Sequence, residues 1–249
     1  MSADASAGPG APTAAPMDVP AGGTPAPRRR VAVLISGRGS NMAALLEAAA
    51  APGFPAEVAL VLSNRADAAG LAHAAARGVA TAVVESRPHG RDRAAHERAV
   101  QSVLEAHGIE LVCLAGYMRI LTPWLVGRWA GRMLNIHPSL LPAFPGLDTH
   151  QRAIAAGCTL HGCTVHLVTE EMDAGPILAQ AAVPVLPGDD PDTLAARVLA
   201  QEHRLYPLAL RRVAAGAGWA ADPGAAPGAA PESDLWADPG AALLNPAPR

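Results

Sequence analysis

In "LNIHPSLLPAFPG" (134–146), Asn135 and His137 bring an amide and an imidazole together at the end of an apolar run. The amide can donate to an oxygen, and the imidazole can donate or accept a proton near neutral pH. If the run is a strand, alternate side chains share a face, so Asn135 and His137 point one way and Ile136 the other. Pro138, Pro142 and Pro145 then stop the strand and impose an irregular loop. Taken alone, the pair is explained better by a histidine bonded to a backbone carbonyl beside an asparagine that closes the strand. "VTEEMDAGPI" supplies a carboxylate, Asp173, in a Gly-bearing loop. Beside an imidazole, a carboxylate orients the ring and favours its charged form. By itself Asp173 reads as a turn residue. The three together read as a site for proton transfer and for holding a developing oxyanion.

A second group is "SGRGSN" (36–41), directly after an apolar run. Glycines between a strand and a helix let backbone N–H groups approach an anion at the helix N-terminus. The spacing points to a phosphate cradle at Gly39, Ser40 and Asn41, with a plain tight turn as the bland alternative. A dinucleotide fingerprint would need a third glycine where Met42 stands, and an acid at the end of the second strand. That strand ends in Ser63 and Asn64.

These residues need a frame. Apolar runs at 31–35, 57–63, 81–85, 111–116 and 132–137 read as strands, separated by helices at 40–51, 67–77 and 91–107. The runs are continuous rather than alternating, as strands covered on both faces are. A helix at 149–156, strands at 161–169 and 177–185 and a helix at 190–215 follow, the last capped by Asp190 with Pro191 at its first position. The expected fold is α/β: a Rossmann-like open, mostly parallel sheet with helices on both faces and an antiparallel C-terminal extension. Each candidate residue then lies at the carboxyl end of a strand, where such sheets place ligands.

Composition narrows the chemistry. The 249 residues include 19 basic ones, all arginine. Without lysine there is no Schiff-base chemistry and no Walker-type phosphate lysine. A net charge of -3 gives no basic surplus for nucleic acid. Three cysteines, Cys113, Cys158 and Cys163, argue against a disulfide framework. No apolar stretch reaches the roughly 18 residues that span a bilayer, and the N-terminus is not a signal peptide. A cytoplasmic protein without membrane or nucleic-acid partners is expected. Residues 1–28 carry almost no bulky apolar side chains and read as a disordered leader. Residues 216–249 read as a low-complexity, largely flexible tail, which leaves 29–215 as the domain. "CTLHGC" holds Cys158, His161 and Cys163 but fits no zinc spacing, so no metal is expected. "RRR" at 28–30 reads as a solvated flank. His166 shares a strand face with Thr164 and either lines the pocket or is simply buried.

The motifs "VAVLISGRGSNMAALL", "LAGYMRIL", "LNIHPSLLPAFPG", "HGCTVHLVTEEMDAGPIL" and "QEHRLYP" resemble, in order over about residues 31–215, the folate-dependent glycinamide ribonucleotide formyltransferases. The resemblance implies 10-formyltetrahydrofolate as formyl donor, the amine of 5'-phosphoribosylglycinamide as acceptor, and a place in purine synthesis. It matches Asn135, His137 and Asp173 to the catalytic trio. It matches Gly39, Ser40, Asn41, Gln201 and Glu202 to the ribonucleotide site. To the folate pocket it assigns Met118, Arg119, Ile120 and Leu121, together with Asn135, Thr169, Glu170, Glu171, Met172, Asp173 and Arg93. The chain departs from the family at Asp148, where a second histidine is frequent, and at Cys163 and Thr164, where Thr and Ser are usual. A formyltetrahydrofolate hydrolase would share the trio but carry an extra N-terminal domain. A methionyl-tRNA formyltransferase would need a basic C-terminal domain. A nicotinamide dehydrogenase is disfavoured by Met42 and the missing acid. A monomer and a homodimer both fit.

Overall fold

The computed structural model describes residues 27–216 and 243–245. Its strands and helices run, in chain order, β1 (Arg29–Ile35), α1 (Ser40–Ala50), β2 (Ala56–Ser63), α2 (Ala69–Ala75), β3 (Thr81–Val83), α3 (Arg93–Ala106), β4 (Leu111–Leu114), α4 (Pro123–Arg128), β5 (Met133–His137), α5 (Thr149–Ala155), β6 (Leu160–Leu167), β7 (Ile177–Pro184), α6 (Pro191–Ala214) and β8 (Leu243–Asn245). One sheet holds them in the order β3-β2-β1-β4-β5-β6-β7-β8. Pairing is parallel from β3 to β5 and antiparallel from β5 to β8. The mostly parallel sheet with an antiparallel C-terminal side is the one expected.

The centre of the sheet shows why its runs are apolar throughout. Val31, Val33 and Ile35 of β1 enter one core with α1 and α6, whereas Ala32 and Leu34 enter a second core with α3 and α4. A strand buried on both faces has no polar alternation to display. Helix α1 buries Met42, Leu45, Leu46 and Ala49, the spacing of a single helical stripe. Helix α6 begins as expected: the Asp190 side chain accepts the Thr193 N–H at 2.7 Å, and Pro191 follows. Its Tyr206 hydroxyl, fully buried, reaches the carbonyls of Leu114 and Leu134 at 3.1 Å each and pins α6 to the ends of β4 and β5.

Chain order turns back between β1 and β4: β2 and β3 lie on one side of β1, and β4 and β5 on the other. The carboxyl ends of β1, β4 and β5 therefore open onto one crevice, the usual ligand site of such sheets. Three elements were not anticipated: a short 3-10 turn (Arg87–His89), α4 and β8. The expected strands at 81–85 and 111–116 end earlier, at Val83 and Leu114.

The arginine flank is tied to the body. Arg28 donates to Ala56 O at 3.0 Å, and Arg29 and Arg30 pair with Glu110 and Glu57 at 2.6 Å. Residues 1–26 of the expected leader lie outside the described residues, as does the expected tail apart from Gly216 and residues 243–245. Among the described residues no helix is long and apolar enough to cross a membrane.

Candidate active site

Asn135 and His137 occupy the end of β5, and the antiparallel register sets Asn135 opposite His166 and His137 opposite Thr164. Residues directly opposite share a face. That register brings a second imidazole into the site, one that the sequence left between pocket and core. The Asn135 amide nitrogen lies 3.1 Å from His166 Nε2, and His166 Nδ1 lies 3.0 Å from Leu167 O. A carbonyl only accepts, so Nδ1 carries the proton and Nε2 accepts from the amide. His166 is 2% exposed, and burial lowers its pKa against the pull of Asp173, consistent with a neutral ring that holds Asn135 in place.

His137 Nε2 lies 3.0 Å from Phe144 O and therefore donates to it. The bland expectation, a histidine bonded to a backbone carbonyl, is thus met at one nitrogen. The other nitrogen, Nδ1, faces Asp173 Oδ2 at 3.4 Å. Asp173 also accepts the Gly146 N–H at 2.8 Å and lies 3.7 Å from His166 Nε2. Its backbone sits at φ 56°, in the left-handed region that side chains rarely adopt. The imidazole and the carboxylate gathered here are both largely removed from solvent.

Side chains hold the proline loop between β5 and α5 in this shape. Ser139 Oγ donates to Ala143 O and Thr149 Oγ1 to Pro138 O, each at 2.6 Å. Thr164 Oγ1 donates to Ser139 O at 2.7 Å and accepts Leu141 N–H at 3.0 Å. Arg152 donates to Pro145 O at 2.6 Å and stacks over the Phe144 ring. Thr164, one of the positions where the resemblance implied another residue, supplies a hydroxyl to this loop. Asp148, where the resemblance implied a histidine, sits at φ 55° as the residue before α5, and its side chain makes no capping bond.

At the end of β1, Gly39 adopts φ 75° and leads straight into α1, so Ser40 and Asn41 lie in the first turn with free backbone N–H groups. The Asn41 amide donates to Glu202 Oε2 at 2.6 Å, which joins α1 to α6 across 161 residues of sequence. Glu202 stands on the buried stripe of α6, and burial raises its pKa against the Asn41 bond. Asn41 Oδ1 and Gln201 Oε1 are both hidden from solvent and have no hydrogen-bond partner. Unmatched buried acceptors are costly unless a ligand supplies donors.

The loop after β4 presents Met118 and Ile120 almost bare, at 70% and 68% exposure. Leu121 instead packs against the second core. Arg93 NH1 lies 3.5 Å from Ile120 O, so the arginine assigned by resemblance does reach this loop. Glu97, which the sequence did not single out, accepts the Thr122 N–H at 2.7 Å and the Thr122 hydroxyl. In the loop before β7, Thr169 Oγ1 donates to Glu171 O at 3.1 Å, and Glu170, Glu171 and Met172 are exposed. Cys158, His161 and Cys163 do not form a metal group; among the described residues no cluster of His, Cys, Asp or Glu could hold a metal ion.

The formyl transferase family matches residues 29–210, a span that takes in every element of this site. The chain belongs to that family. It is 46% identical over 180 residues to the phosphoribosylglycinamide formyltransferase of Escherichia coli (strain K12), covering 72% of this chain and 84% of that one. It is 48% identical over 189 residues to the trifunctional purine biosynthetic protein adenosine-3 of Homo sapiens, covering 76% of this chain and 19% of that one. The chain spans 14% to 19% of the length of the trifunctional relatives it matches. The crystal structure of phosphoribosylglycinamide formyltransferase from Brucella melitensis superposes with a TM-score of 0.72 at 59% identity, covering 78% of this chain and all of that one. In this formyl transferase, β5 carries the amide and the imidazole, the loop before β7 carries the carboxylate, and α1 with α6 forms a separate polar cradle.

Proposed function

We propose that the protein transfers the formyl group of 10-formyltetrahydrofolate to the amine of 5'-phosphoribosylglycinamide, a step of purine biosynthesis. The observation that carries this reading is the contact of Asp173 with His137 at 3.4 Å, with Asn135 on the same strand face. The relatives are named as transferases acting on this ribonucleotide, which favours transfer over hydrolysis of the folate.

The reaction needs positioning and electrostatics more than a nucleophile of the enzyme. The ribonucleotide amine attacks the formyl carbon, and a tetrahedral oxyanion forms. His137 shares a strand face with Asn135, where a hydrogen on its Nδ1 can donate to that oxygen, and Asp173 Oδ2, 3.4 Å from that nitrogen, orients the ring. Asn135 has a second amide hydrogen beyond the one given to His166. As the intermediate collapses, the bond from formyl carbon to the folate nitrogen breaks. One proton leaves the attacking nitrogen and one reaches the departing nitrogen, relayed by water held at Asp173.

The free N–H groups at Ser40 and Asn41 suit the ribonucleotide phosphate. The unmatched oxygens of Asn41 and Gln201, with the Glu202 carboxylate, suit ribose hydroxyls, which donate. Exposed Met118 and Ile120, with Arg119 and Leu121 beside them in the chain, Arg93 3.5 Å from Ile120 O, and the loop at 169–173 that carries Asp173, suit a flat apolar folate with a polar tail. The protein acts on small molecules in the cytoplasm, without a metal, as a monomer or homodimer. The test is deformylation of 10-formyltetrahydrofolate by the purified full chain, with and without the ribonucleotide. Turnover that requires the ribonucleotide is expected. Equal turnover with free formate as product would assign a hydrolase instead.

A further inference from the structure

Ser63 and Asn64, at the end of β2, stood out in the sequence only for not being the acid of a dinucleotide site. The structure gives Asn64 a specific partner. Its Oδ1 accepts the hydroxyl proton of Ser36 at 2.6 Å, and its Nδ2 donates to Ser86 Oγ at 3.3 Å. Ser36, Asn64 and Ser86 are all buried. Ser36 opens the loop that holds Gly39 and leads into Ser40 and Asn41 at the start of α1. A hydroxyl has one proton and two lone pairs. With that proton committed to Asn64, a lone pair of Ser36 accepts the N–H of Met118 at 2.8 Å. A backbone bond from Ser36 N to Gly116 O, at 3.1 Å, runs in the opposite sense beside it.

We infer that Ser36 and Asn64 are positioning residues that lock the loop at 116–121 onto the loop at 36–41, so that the folate and the ribonucleotide are presented to each other on one frame. The inference rests on the substrate assignments proposed above. Its physical basis is the bareness of the folate-side loop. Met118 and Ile120 are more than two-thirds exposed, so their side chains do little to hold it. Tyr117 and Leu121 root the loop in the second core, and the two exposed positions between them are placed through the backbone, by Ser36 at one end and by Glu97, through Thr122, at the other. Asn64 lies outside both loops, yet it fixes the direction in which the Ser36 lone pairs point. Neither Ser36 nor Asn64 offers a side-chain atom to the trio, so each acts through Met118.

The test uses the full chain as Ser36→Ala and Asn64→Ala, with thermal melting to show that each is folded. Loss of one buried acceptor should raise the KM for 10-formyltetrahydrofolate by about tenfold. The Kd of the ribonucleotide, measured by calorimetry without folate, should stay within about twofold, since the N–H groups of Ser40 and Asn41 belong to α1. Amide hydrogen exchange at Met118 should become faster in both variants. A folate KM within about twofold of wild type in a folded variant, or a rise shared equally by the ribonucleotide Kd, would overturn the inference. If Ser36→Ala does not fold, the same readings on Asn64→Ala decide the matter. A wild-type chain that transfers no formyl group refutes the substrate assignment instead, and Met118 exchange still reads the tether.

Discussion

Asp173 meets three partners at once: the Gly146 amide at 2.8 Å, His137 Nδ1 at 3.4 Å and His166 Nε2 at 3.7 Å. Asp173→Asn keeps the side-chain volume but removes the charge and replaces one accepting oxygen with a donor. Turnover should fall by about 10²–10⁴-fold, the usual weight of a positioned acid–base group. Ribonucleotide affinity should hold, because Asn41 and Glu202 are untouched. Steady-state kinetics beside calorimetry checks both. A variant that loses affinity and turnover in parallel would mean that the loop, not the carboxylate, matters. The trio was legible in the sequence because a period of two puts Asn135 and His137 on one face. His166 was not, since its place opposite Asn135 is set by a strand register that no local pattern encodes. The signal available was its alternation with Thr164.

Two supporting elements carry predictions of their own. Helix α3 offers Glu97, 2% exposed, to the backbone and hydroxyl of Thr122. Glu97→Ala strips both donors of their acceptor and should cost about 1–3 kcal/mol of stability, read by denaturant unfolding, with a raised folate KM. An unchanged unfolding midpoint would remove Glu97 from the account. Between β6 and β7, a Cβ on Gly175 would stand 1.8 Å from Leu167 O. Gly175→Ala must therefore shift the loop that carries Asp173, and melting temperature and turnover should fall together. A variant with wild-type turnover would show that the loop tolerates the shift. The long apolar runs announced their strands, and Asp190 with Pro191 announced α6. Helix α4 was missed although Thr122 and Pro123 are start signals, because six residues are too few to show a period. Strand β8 was missed because it falls in a Pro/Gly/Ala-rich stretch, where pairing with β7 rather than local pattern makes the strand.

Across the molecule, burial pulls several histidines the same way. It lowers His161 to about 4, with the neighbouring His150 adding to the effect, and it lowers His150, His166, His96 and His203 as well. Below about pH 6.5 the unfolded chain takes up protons at these rings that the folded chain refuses. Stability is therefore full above that pH and declines as pH falls, with the His161 share lost down to about 4. Thermal melts should show a lower midpoint at pH 5 than at pH 7; a flat or rising midpoint would contradict the burial of these rings in neutral form. The sheet order that gathers the carboxyl ends of β1, β4 and β5 was legible as a class of fold, and with it the side of the sheet on which to look. That Asn41 and Glu202 meet across 161 residues came only from the resemblance, because a stripe of α6 gives no sign of which helix it faces. In the proposed reaction both substrates meet at His137. The direct measurement is turnover of His137→Ala with the Kd of each substrate determined on the same folded sample. Both Kd values are expected within a few-fold of wild type, and turnover lower by about 10³-fold or more. Turnover within about tenfold of wild type, with both substrates bound, would place the chemistry elsewhere.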